Sequence, residues 1–398
     1  GTRGNIRLYA KWQLESLNIN REGTGDMIWS WWYYPQVISY DNLQDNVYWG
    51  FTTSEGYSGV AEYNNVSHKT TKTLLKKVSE VDDHNGVAVT VMNDGRIMCV
   101  YSGGHNDDNE IHVRISNEQE NIHRFDTDVV LRSSGKTCYS QIIEYQNKYY
   151  IFYRVSNKSW AYRYSEDGIN WSNEEILITA QLQYYCKFVP TNTDGVIRIC
   201  MTSNPDAEDA NIRMGFMNLK TNEIYNSDNK TLLGKANIPS NQFDIIVSKP
   251  LDQSQRLLDV AVTEPEKPMI LYATFKYDFA TKNSVYNLYD TDKSIEICNG
   301  GNPLWNPKYQ LGASFIGDNR IVLGREENGF DKIEIYNYDE EEIQLNKEFF
   351  SELTGNSFVR NARPIVDINQ EVFLWHRGFY NPNMYTNFFT EAKIYDLQ

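Results

Sequence analysis

The chain has 398 residues, and 38 lysines and arginines stand against 53 aspartates and glutamates, which gives a formal net charge of −15 at pH 7. This acidic balance argues against nucleic acid and against anionic membrane surfaces as partners. Apolar residues make up 40% of the chain, enough for a core, but no run approaches the roughly 18 consecutive apolar residues of a membrane helix, so we expect no membrane insertion.

The first residues differ from the pattern that follows. Residues 6–12 read I-R-L-Y-A-K-W and resemble the closing strand of bacterial cell-surface β-grasp repeats. We therefore interpret residues 1–20 as an N-terminal segment, the end of an upstream surface repeat, and residues 21–398 as one domain. Because the sequence begins with glycine, we expect it to derive from a longer precursor, from which a signal peptide could have been removed.

Short runs in which apolar and polar residues alternate recur along the chain, separated by clusters of Asn, Asp and Gly. Residues 86–101 contain two such runs around a turn at 93–95, and residues 142–153 contain two more around 146–147. This pattern predicts antiparallel β-hairpins. No long segment has the helical period, and only residues 70–78 suit a short helix or loop.

Residues 165–171, S-E-D-G-I-N-W, are interpreted as an Asp-box with Asn170 in the position of the usual threonine. In an Asp-box the carboxylate and the glycine shape the hairpin between the outer strands of a propeller blade, and the tryptophan packs between sheets. At four strands and some 45 to 55 residues for each blade, the chain accommodates about seven blades. The sequence therefore predicts an all-β fold, a seven-bladed β-propeller of four-stranded antiparallel sheets.

Two of the six histidines occur in matching contexts. Asp83-His84-Asn85 precedes one predicted strand, and Gly104-His105-Asn106 follows the returning strand of the same hairpin. Because a hairpin brings its two ends together, we expect both imidazoles at the same end of one blade. A pair of histidines that only stabilise turns is the alternative.

The next predicted hairpin repeats this arrangement, with Tyr139 before its first strand and Arg154 at the end of its second. A histidine, a tyrosine and an arginine in one place suit β-elimination from a uronate. Arginine pairs with the C5 carboxylate and stabilises the enolate-like charge that develops there. A base removes the C5 proton while an acid protonates the departing O4. Histidine and tyrosine can divide these two roles in either order.

The order D-H-N, G-H-N, T-x-Y-x-Q, F-Y-R and R-Y-S-x-D-G-x-x-W resembles the BNR-4 repeat proteins, which include the seven-bladed ulvan lyases of the polysaccharide lyase class. The resemblance extends from about residue 82 to the C-terminus and implies a catalytic propeller. It implies Arg154 as the carboxylate neutraliser, Tyr139 as the acid and a candidate base, His84 as the base or its partner, and His105 as a substrate-orienting or supporting group. The base and the acid can be exchanged. The substrate-binding residues that we expect are Asn85, Asn106, Arg163, Tyr164 and Arg377. For Arg163 the alternative is an ion pair on the strand surface.

The chain departs from the family at residues 203–209, S-N-P-D-A-E-D, where many relatives have a His- and Gly-rich segment. Acidic residues there disfavour the same polyanion, so we expect an acidic, uronate-containing polysaccharide that need not be ulvan. The elimination requires no cofactor. A structural metal ion stays unassigned, and the five cysteines show no zinc-type spacing. We expect a monomer that is secreted or on the cell surface.

Two alternatives to a lyase stay open. A sialidase-like glycoside hydrolase would need paired carboxylates, or a Tyr/Glu nucleophile with several arginines, and no such set occurs at a recognisable spacing. A non-catalytic glycan-binding propeller, such as a surface adhesin or a phage receptor-binding module, suits the 28 tyrosines and 9 tryptophans. The presence of His84, His105, Tyr139 and Arg154 together favours the lyase, because binding alone does not require both a base and an acid.

Overall fold

The computed structural model describes residues 25–43, 45–78, 81–205, 207–276, 284–301, 312–327, 330–339, 344–352, 363–380 and 388–397. These residues form seven sheets, the blades of an all-β propeller, as the hairpin pattern predicts. None of the helical segments described is long enough or apolar enough to cross a membrane.

Each blade is a meander, in which strands that follow each other in sequence lie side by side. The strands of blades 1 to 3 are β1 (Val37–Tyr40), β2 (Asn46–Thr52), β3 (Tyr57–Asn64), β4 (Lys69–Lys77); β5 (Ala88–Val91), β6 (Arg96–Ser102), β7 (Glu110–Gln119), β8 (Val129–Arg132); β9 (Thr137–Tyr145), β10 (Lys148–Val155), β11 (Ser159–Ser165) and β12 (Glu175–Thr179). Blade 4 contains β13 (Tyr184–Pro190), β14 (Val196–Ser203), β15 (Ile212–Asn218), β16 (Glu223–Asn226), β17 (Leu232–Gly234) and β19 (Asp244–Val247), whereas β18 (Ile238–Pro239) pairs with β12 of blade 3. Blades 5 to 7 contain β20 (Gln253–Val260), β21 (Met269–Lys276), β22 (Ser284–Asp290), β23 (Lys293–Gly301); β24 (Gly312–Ile316), β25 (Arg320–Glu327), β26 (Phe330–Asp339), β27 (Gln344–Glu352); β28 (Ile365–Val366), β29 (Val372–Tyr380) and β30 (Phe388–Asp396). Two short 3-10 turns lie at Asp83–Asn85 and Ser240–Gln242.

The first strands of the blades surround the centre of the ring. The strand β1 contacts β5, β5 contacts β9, and the series continues through β13, β20, β24 and β28. We call the face at which these strands begin the upper face and the face at which they end the lower face. Because each blade is an antiparallel meander, the second strand of every blade ends at the upper face, beside the start of the first.

Residues from both ends of the described chain close the ring. The backbone N–H of Asp26 donates to the carbonyl of Thr390 on β30 (2.7 Å), and Thr390 Oγ1 donates to the carbonyl of Met27 (2.5 Å). Ile28 then pairs with Thr52 on β2. The last blade is thereby joined to the first.

Residues 29–36 form a plug in the centre of the ring. Tyr34 pairs with Gln141 on β9, and the ring of Trp31 lies 4.2 Å from the guanidinium of Arg256 on β20. The plug thus reaches from blade 3 to blade 5.

The expectation of a short helix or loop at residues 70–78 is wrong, because this segment forms β4. Thr70, Thr71 and Thr73 pair with residues of β3. Threonine is β-branched and favours a pleated, half-buried surface. The mixed exposure of this outermost strand gives it little apolar alternation, so the sequence pattern did not reveal it.

Glu62 on β3 offers a test of the packing between blades 1 and 2. Burial and the neighbouring Glu120 raise the pKa of Glu62 to about 7. The folded protein therefore holds this proton more tightly than the unfolded chain does. As pH rises from the ordinary pKa of a glutamate to about 7, Glu62 lowers the stability of the fold. We expect Glu62→Gln to raise the unfolding temperature by several degrees at about pH 8 and hardly at about pH 5 in thermal melts. The exposed Glu166→Gln should change neither melt, and an equal gain at both pH values would contradict the assignment.

Candidate active site

The sequence-predicted catalytic residues lie together on the upper face, where blades 2 and 3 meet. His84 is in the 3-10 turn before β5, and His105 is in the loop after β6. Tyr139 is near the start of β9, and Arg154 is near the end of β10. The backbone N–H of Asn106 donates to the carbonyl of Thr137 (3.1 Å). The loop that carries His105 is thereby fixed to the strand that carries Tyr139.

A residue that the sequence reasoning missed, Asp82, positions both imidazoles. It caps the 3-10 turn by accepting the backbone N–H of His84 at Oδ1 (2.9 Å). The same oxygen contacts His84 Nδ1, and Asp82 Oδ2 accepts from His105 Nδ1 (2.7 Å). The two rings stack with centroids 4.0 Å apart and planes at 3°. The signal in the sequence is an N-cap aspartate two residues before a histidine.

The two histidines differ in charge. Burial lowers the pKa of His84, but the carboxylates of Asp82 and Asp83 outweigh it and raise this pKa to about 9. Burial and the positive charge of His84 lower the pKa of His105. At neutral pH His84 is therefore an imidazolium and His105 is a neutral imidazole. His105 donates from Nδ1 to Asp82, so its Nε2 carries a lone pair, and that atom has no partner among the described residues.

Tyr139 is a bulge residue. Ser140 pairs with Tyr153 and Cys138 pairs with Arg154, so Tyr139 between them has no partner on β10. Its φ is 55°, in the left-handed region that few side chains other than glycine and asparagine adopt. Bulges turn a side chain out of the alternation of its strand, and strained backbone of this kind clusters at functional sites. The ring of Tyr139 lies 5.4 Å from that of His84.

Arg154 lies beneath Tyr139. Its guanidinium is 4.5 Å from the centre of the Tyr139 ring and 5.2 Å from that of Tyr185. None of its three nitrogens has a hydrogen bond of normal geometry among the described residues. Tyr185 on β13 was not predicted. It is at the start of the first strand of blade 4, the position that Tyr139 has in blade 3, and this equivalence is the signal that could have found it.

Burial decides the protonation state of the Tyr139 phenol. Burial raises the pKa of Tyr139 well above its usual value, and the positive charge of Arg154 offsets only part of that rise. The hydroxyl has no hydrogen-bond partner among the described residues. Tyr139 is therefore a neutral phenol, which can donate a proton.

The cluster is only partly open to solvent. The side chain of His105 is 22% exposed and that of His84 is 9% exposed, whereas Tyr139 and Arg154 are 0% exposed. The four side chains thus share one face of the ring, but only the histidines reach its surface. A ligand can contact Arg154, the Tyr139 hydroxyl or His105 Nε2 only after neighbouring side chains move, because these polar atoms are buried.

The structure brings two of the five predicted substrate-binding residues to the cluster. Asn85 is buried in the 3-10 turn, and Asn106 follows His105 with φ 58°. Arg163 and Tyr164 are not brought there. They pair with Ile151 and Tyr150 on β10, three and four positions from Arg154, and each position adds about 3.3 Å. Arg163 instead donates to the carbonyl of Ser172 (3.0 Å) and to that of Arg132 (2.6 Å). Arg377 is on β29, and its side chain lies outside the described residues.

The same cluster contains the groups that could hold a metal ion. Ligand atoms of Asp82, His84 and His105 all lie within 4.8 Å of one another. Two imidazoles and a carboxylate form a donor set that suits Zn²⁺. A metal there would replace the protons between Asp82 and the two imidazoles.

Comparisons with known proteins agree with the fold. Residues 46–296 match BNR_4, described as "BNR repeat-containing family member". The chain is similar to a PL25 ulvan lyase solved with -[GlcA(1-4)Rha3S]- (TM-score 0.68, 11% identity, 94% of this chain and 93% of that chain covered). It is also similar to the polysaccharide lyase Uly1 (TM-score 0.59, 11% identity, 92% and 91% covered).

No curated protein matches the sequence. At 11% identity the likeness to the two lyases establishes the propeller fold that they share with this chain. The match to the family model, in contrast, rests on the sequence rather than on the fold. It covers most of blades 1 to 5. Because it spans more than half of the 398 residues, the chain belongs to the BNR repeat-containing family BNR_4.

Proposed function

We propose that the chain is a polysaccharide lyase that cleaves a uronate-containing polysaccharide by β-elimination. The observation that carries this proposal is the cluster of His105 Nε2, Tyr139 Oη and the Arg154 guanidinium, whose buried polar atoms make no hydrogen bond of normal geometry among the described residues. Buried polar atoms in folded proteins are nearly always paired. Three such groups in one place are therefore typical of a site that binds a ligand. Polysaccharides of this class occur outside cells, so we place the activity there.

The charges in the cluster support the following proton transfers. His105 Nε2, a neutral base, takes the C5 proton, and the electrons of the C5–H bond form the C4–C5 double bond. The C4–O4 bond breaks, and Tyr139 gives its proton to O4. Arg154 stabilises the negative charge on the C5 carboxylate. His84 is already protonated, so it acts with Asp82 as a positioning residue rather than as the base.

The burial of Tyr139 and Arg154 supports a second candidate, a glycan-binding propeller without catalysis. In that case Arg154 is a structural cation under aromatic rings, and only the rim of the cluster contacts sugar. The lyase proposal requires the rings of Tyr139 and Tyr185 to part when substrate enters. The two candidates therefore differ in whether covalent chemistry follows binding.

A panel of uronate polysaccharides incubated with the protein separates the candidates. A lyase creates a 4,5-unsaturated uronate, so absorbance at about 235 nm rises with time. A hydrolase would release reducing ends without that absorbance, and a binding module would retain the glycan unchanged. No absorbance with any uronate polysaccharide that the protein binds would refute the lyase proposal.

Asp82→Asn tests the positioning of the histidines. The amide keeps the shape but removes the charge that orients His105 Nδ1 and holds the proton on His84. We expect turnover to fall by about 10²-fold with little change in KM, because Asp82 contacts the base and not the substrate. The exposed Asp126→Asn on blade 2 should leave both constants unchanged. A rise in KM at normal kcat would instead indicate that Asp82 binds substrate.

A further inference from the structure

A buried ion pair joins the last blade to the turn that carries His84. Arg363 precedes β28 and is 1% exposed, and its Nη1 donates to Asp83 Oδ2 and to the carbonyl of Trp29 (3.0 Å). The two charged residues are 280 positions apart in the chain. The indole Nε1 of Trp29 donates to the carbonyl of Arg363 (3.1 Å). Arg363 is therefore held by its side chain and by its main chain.

The plug supports this guanidinium and the turn together. The centre of the Trp31 ring lies 4.0 Å from the guanidinium of Arg363 and 4.2 Å from that of Arg256. The electrons of an indole ring attract a guanidinium at such a distance. Tyr33, also in the plug, donates from its hydroxyl to the carbonyl of His84. The plug thus contacts both Arg363 and the turn to which Arg363 is bonded.

The ion pair continues a row of polar groups that ends at His105. His84 Nδ1 contacts Asp82 Oδ1 and lies 2.9 Å from Asp83 Oδ1, so it is between two carboxylates. Asp82 accepts from His105 Nδ1 through its other oxygen (2.7 Å). From Arg363 to Asp82 the groups alternate in charge. Each buried carboxylate of the row therefore lies beside a cation.

Stability alone does not account for the pair of Arg363 and Asp83. Burial removes water from both ions, and a buried ion pair gains little over an apolar pair of the same size. The pair does affect the competition for His84 Nδ1. With Arg363 bound to Asp83, the imidazole of His84 stays bonded to Asp82. Without Arg363, Asp83 loses one of the two cations that contact it among the described residues, and it draws His84 away from Asp82.

We infer that Arg363 is a positioning residue that, through Asp83, fixes the two imidazoles of the candidate active site. Blade 7 thereby takes part in a site whose reacting groups come from blades 2 and 3. The inference rests on the proposed elimination for its effect on turnover. Its effect on the histidine rings is independent of that reaction and is measured without substrate.

Three variants separate positioning from stability. Arg363→Met leaves Asp83 buried without its guanidinium, Asp83→Asn removes the carboxylate charge, and the double variant removes both charges. Arg198→Met is the matched control, because Arg198 is also a fully buried arginine, bonded to backbone carbonyls of blade 5. The measurements are kcat and KM by absorbance, the thermal unfolding temperature, and the imidazole NMR signals of the six histidines. His84→Gln and His105→Gln assign the two signals of interest.

We expect Arg363→Met to lower kcat by about 10²-fold with little change in KM, because it acts through Asp83 on the orientation of the base. Asp83→Asn and the double variant should lower kcat to the same extent, since all three interrupt one row. The double variant should unfold at a higher temperature than Arg363→Met, because it leaves no unpaired buried charge. Arg363→Lys keeps the charge and should restore part of the turnover. The signals of His84 and His105 should shift in Arg363→Met and stay in place in Arg198→Met.

A normal kcat in Arg363→Met overturns the inference, and the double variant decides the matter if the single variant does not fold. Unchanged histidine signals overturn it as well, and so does an equal loss of kcat in Arg198→Met, which would show a general effect of lost stability. If the unmodified protein cleaves no uronate polysaccharide, the proposed function fails. The signals of His84 and His105 then decide by themselves whether Arg363 positions the imidazoles.

Discussion

Tyr139→Phe is expected to lower the rate of elimination by about 10²- to 10⁴-fold while leaving glycan binding and stability intact. Only the hydroxyl is lost, and in the proposed reaction that hydroxyl is the acid for O4. The phenylalanine ring keeps the contacts with His84 (5.4 Å) and Tyr185 (5.9 Å). Because the buried hydroxyl has no partner among the described residues, its removal leaves no other group unpaired.

The measurements for Tyr139→Phe are turnover by absorbance, glycan affinity by calorimetry and the thermal unfolding temperature. Tyr101→Phe makes the same change at a fully buried tyrosine of blade 2 and should retain full turnover. If Tyr139→Phe kept its eliminase activity, the acid would have to be His84 or His105. If the variant lost glycan affinity together with turnover, Tyr139 would be a binding residue.

Arg154→Met is expected to lower turnover strongly and at the same time to stabilise the fold. A guanidinium aimed at developing charge contributes about 3 to 4 kcal/mol to the transition state, so turnover should fall by 10²- to 10³-fold. The free protein, in contrast, holds this cation fully buried with no carboxylate or hydrogen bond of normal geometry among the described residues. Methionine has a similar length and needs no partner, so the unfolding temperature should rise by a few degrees.

Arg198→Met is the matched control for Arg154→Met. Arg198 on β14 is also fully buried, but it donates to the carbonyls of Ala261 (3.1 Å) and Glu264 (2.7 Å) and to Thr263 Oγ1 (3.0 Å). Its loss leaves these acceptors unpaired, so stability should fall by about 1 to 3 kcal/mol. Turnover of the folded fraction should stay normal.

Arg154→Lys should restore little activity, because an ammonium cannot reproduce the bidentate fork of a guanidinium. Denaturant unfolding and turnover are to be measured on all three arginine variants. If Arg154→Lys turned over at a near-normal rate, Arg154 could not be the neutraliser. If Arg154→Met destabilised the fold as much as Arg198→Met, Arg154 would be a structural cation, as in the glycan-binding alternative.

The sequence by itself predicted the architecture, and it predicted which side chains lie together at one end of two neighbouring blades. Hairpins recur because strands alternate with turn residues, and the chain length at about 45 to 55 residues for each blade predicts the number of blades. The matching positions of His84 and His105, and of Tyr139 and Arg154, follow from hairpin topology, because the start of one strand and the end of the next share one end of a blade. Local periodicity suffices for such statements.

Only the tertiary structure decided the contacts within the cluster. Asp82 connects the two imidazoles across a hairpin, and the bulge at Tyr139 turns its ring over Arg154. Tyr185 comes from another blade. Strand register placed Arg163 and Tyr164 away from the cluster, although their sequence motif adjoins it. Charge state, burial and register all depend on neighbours distant in sequence, and a local pattern carries no information about those neighbours.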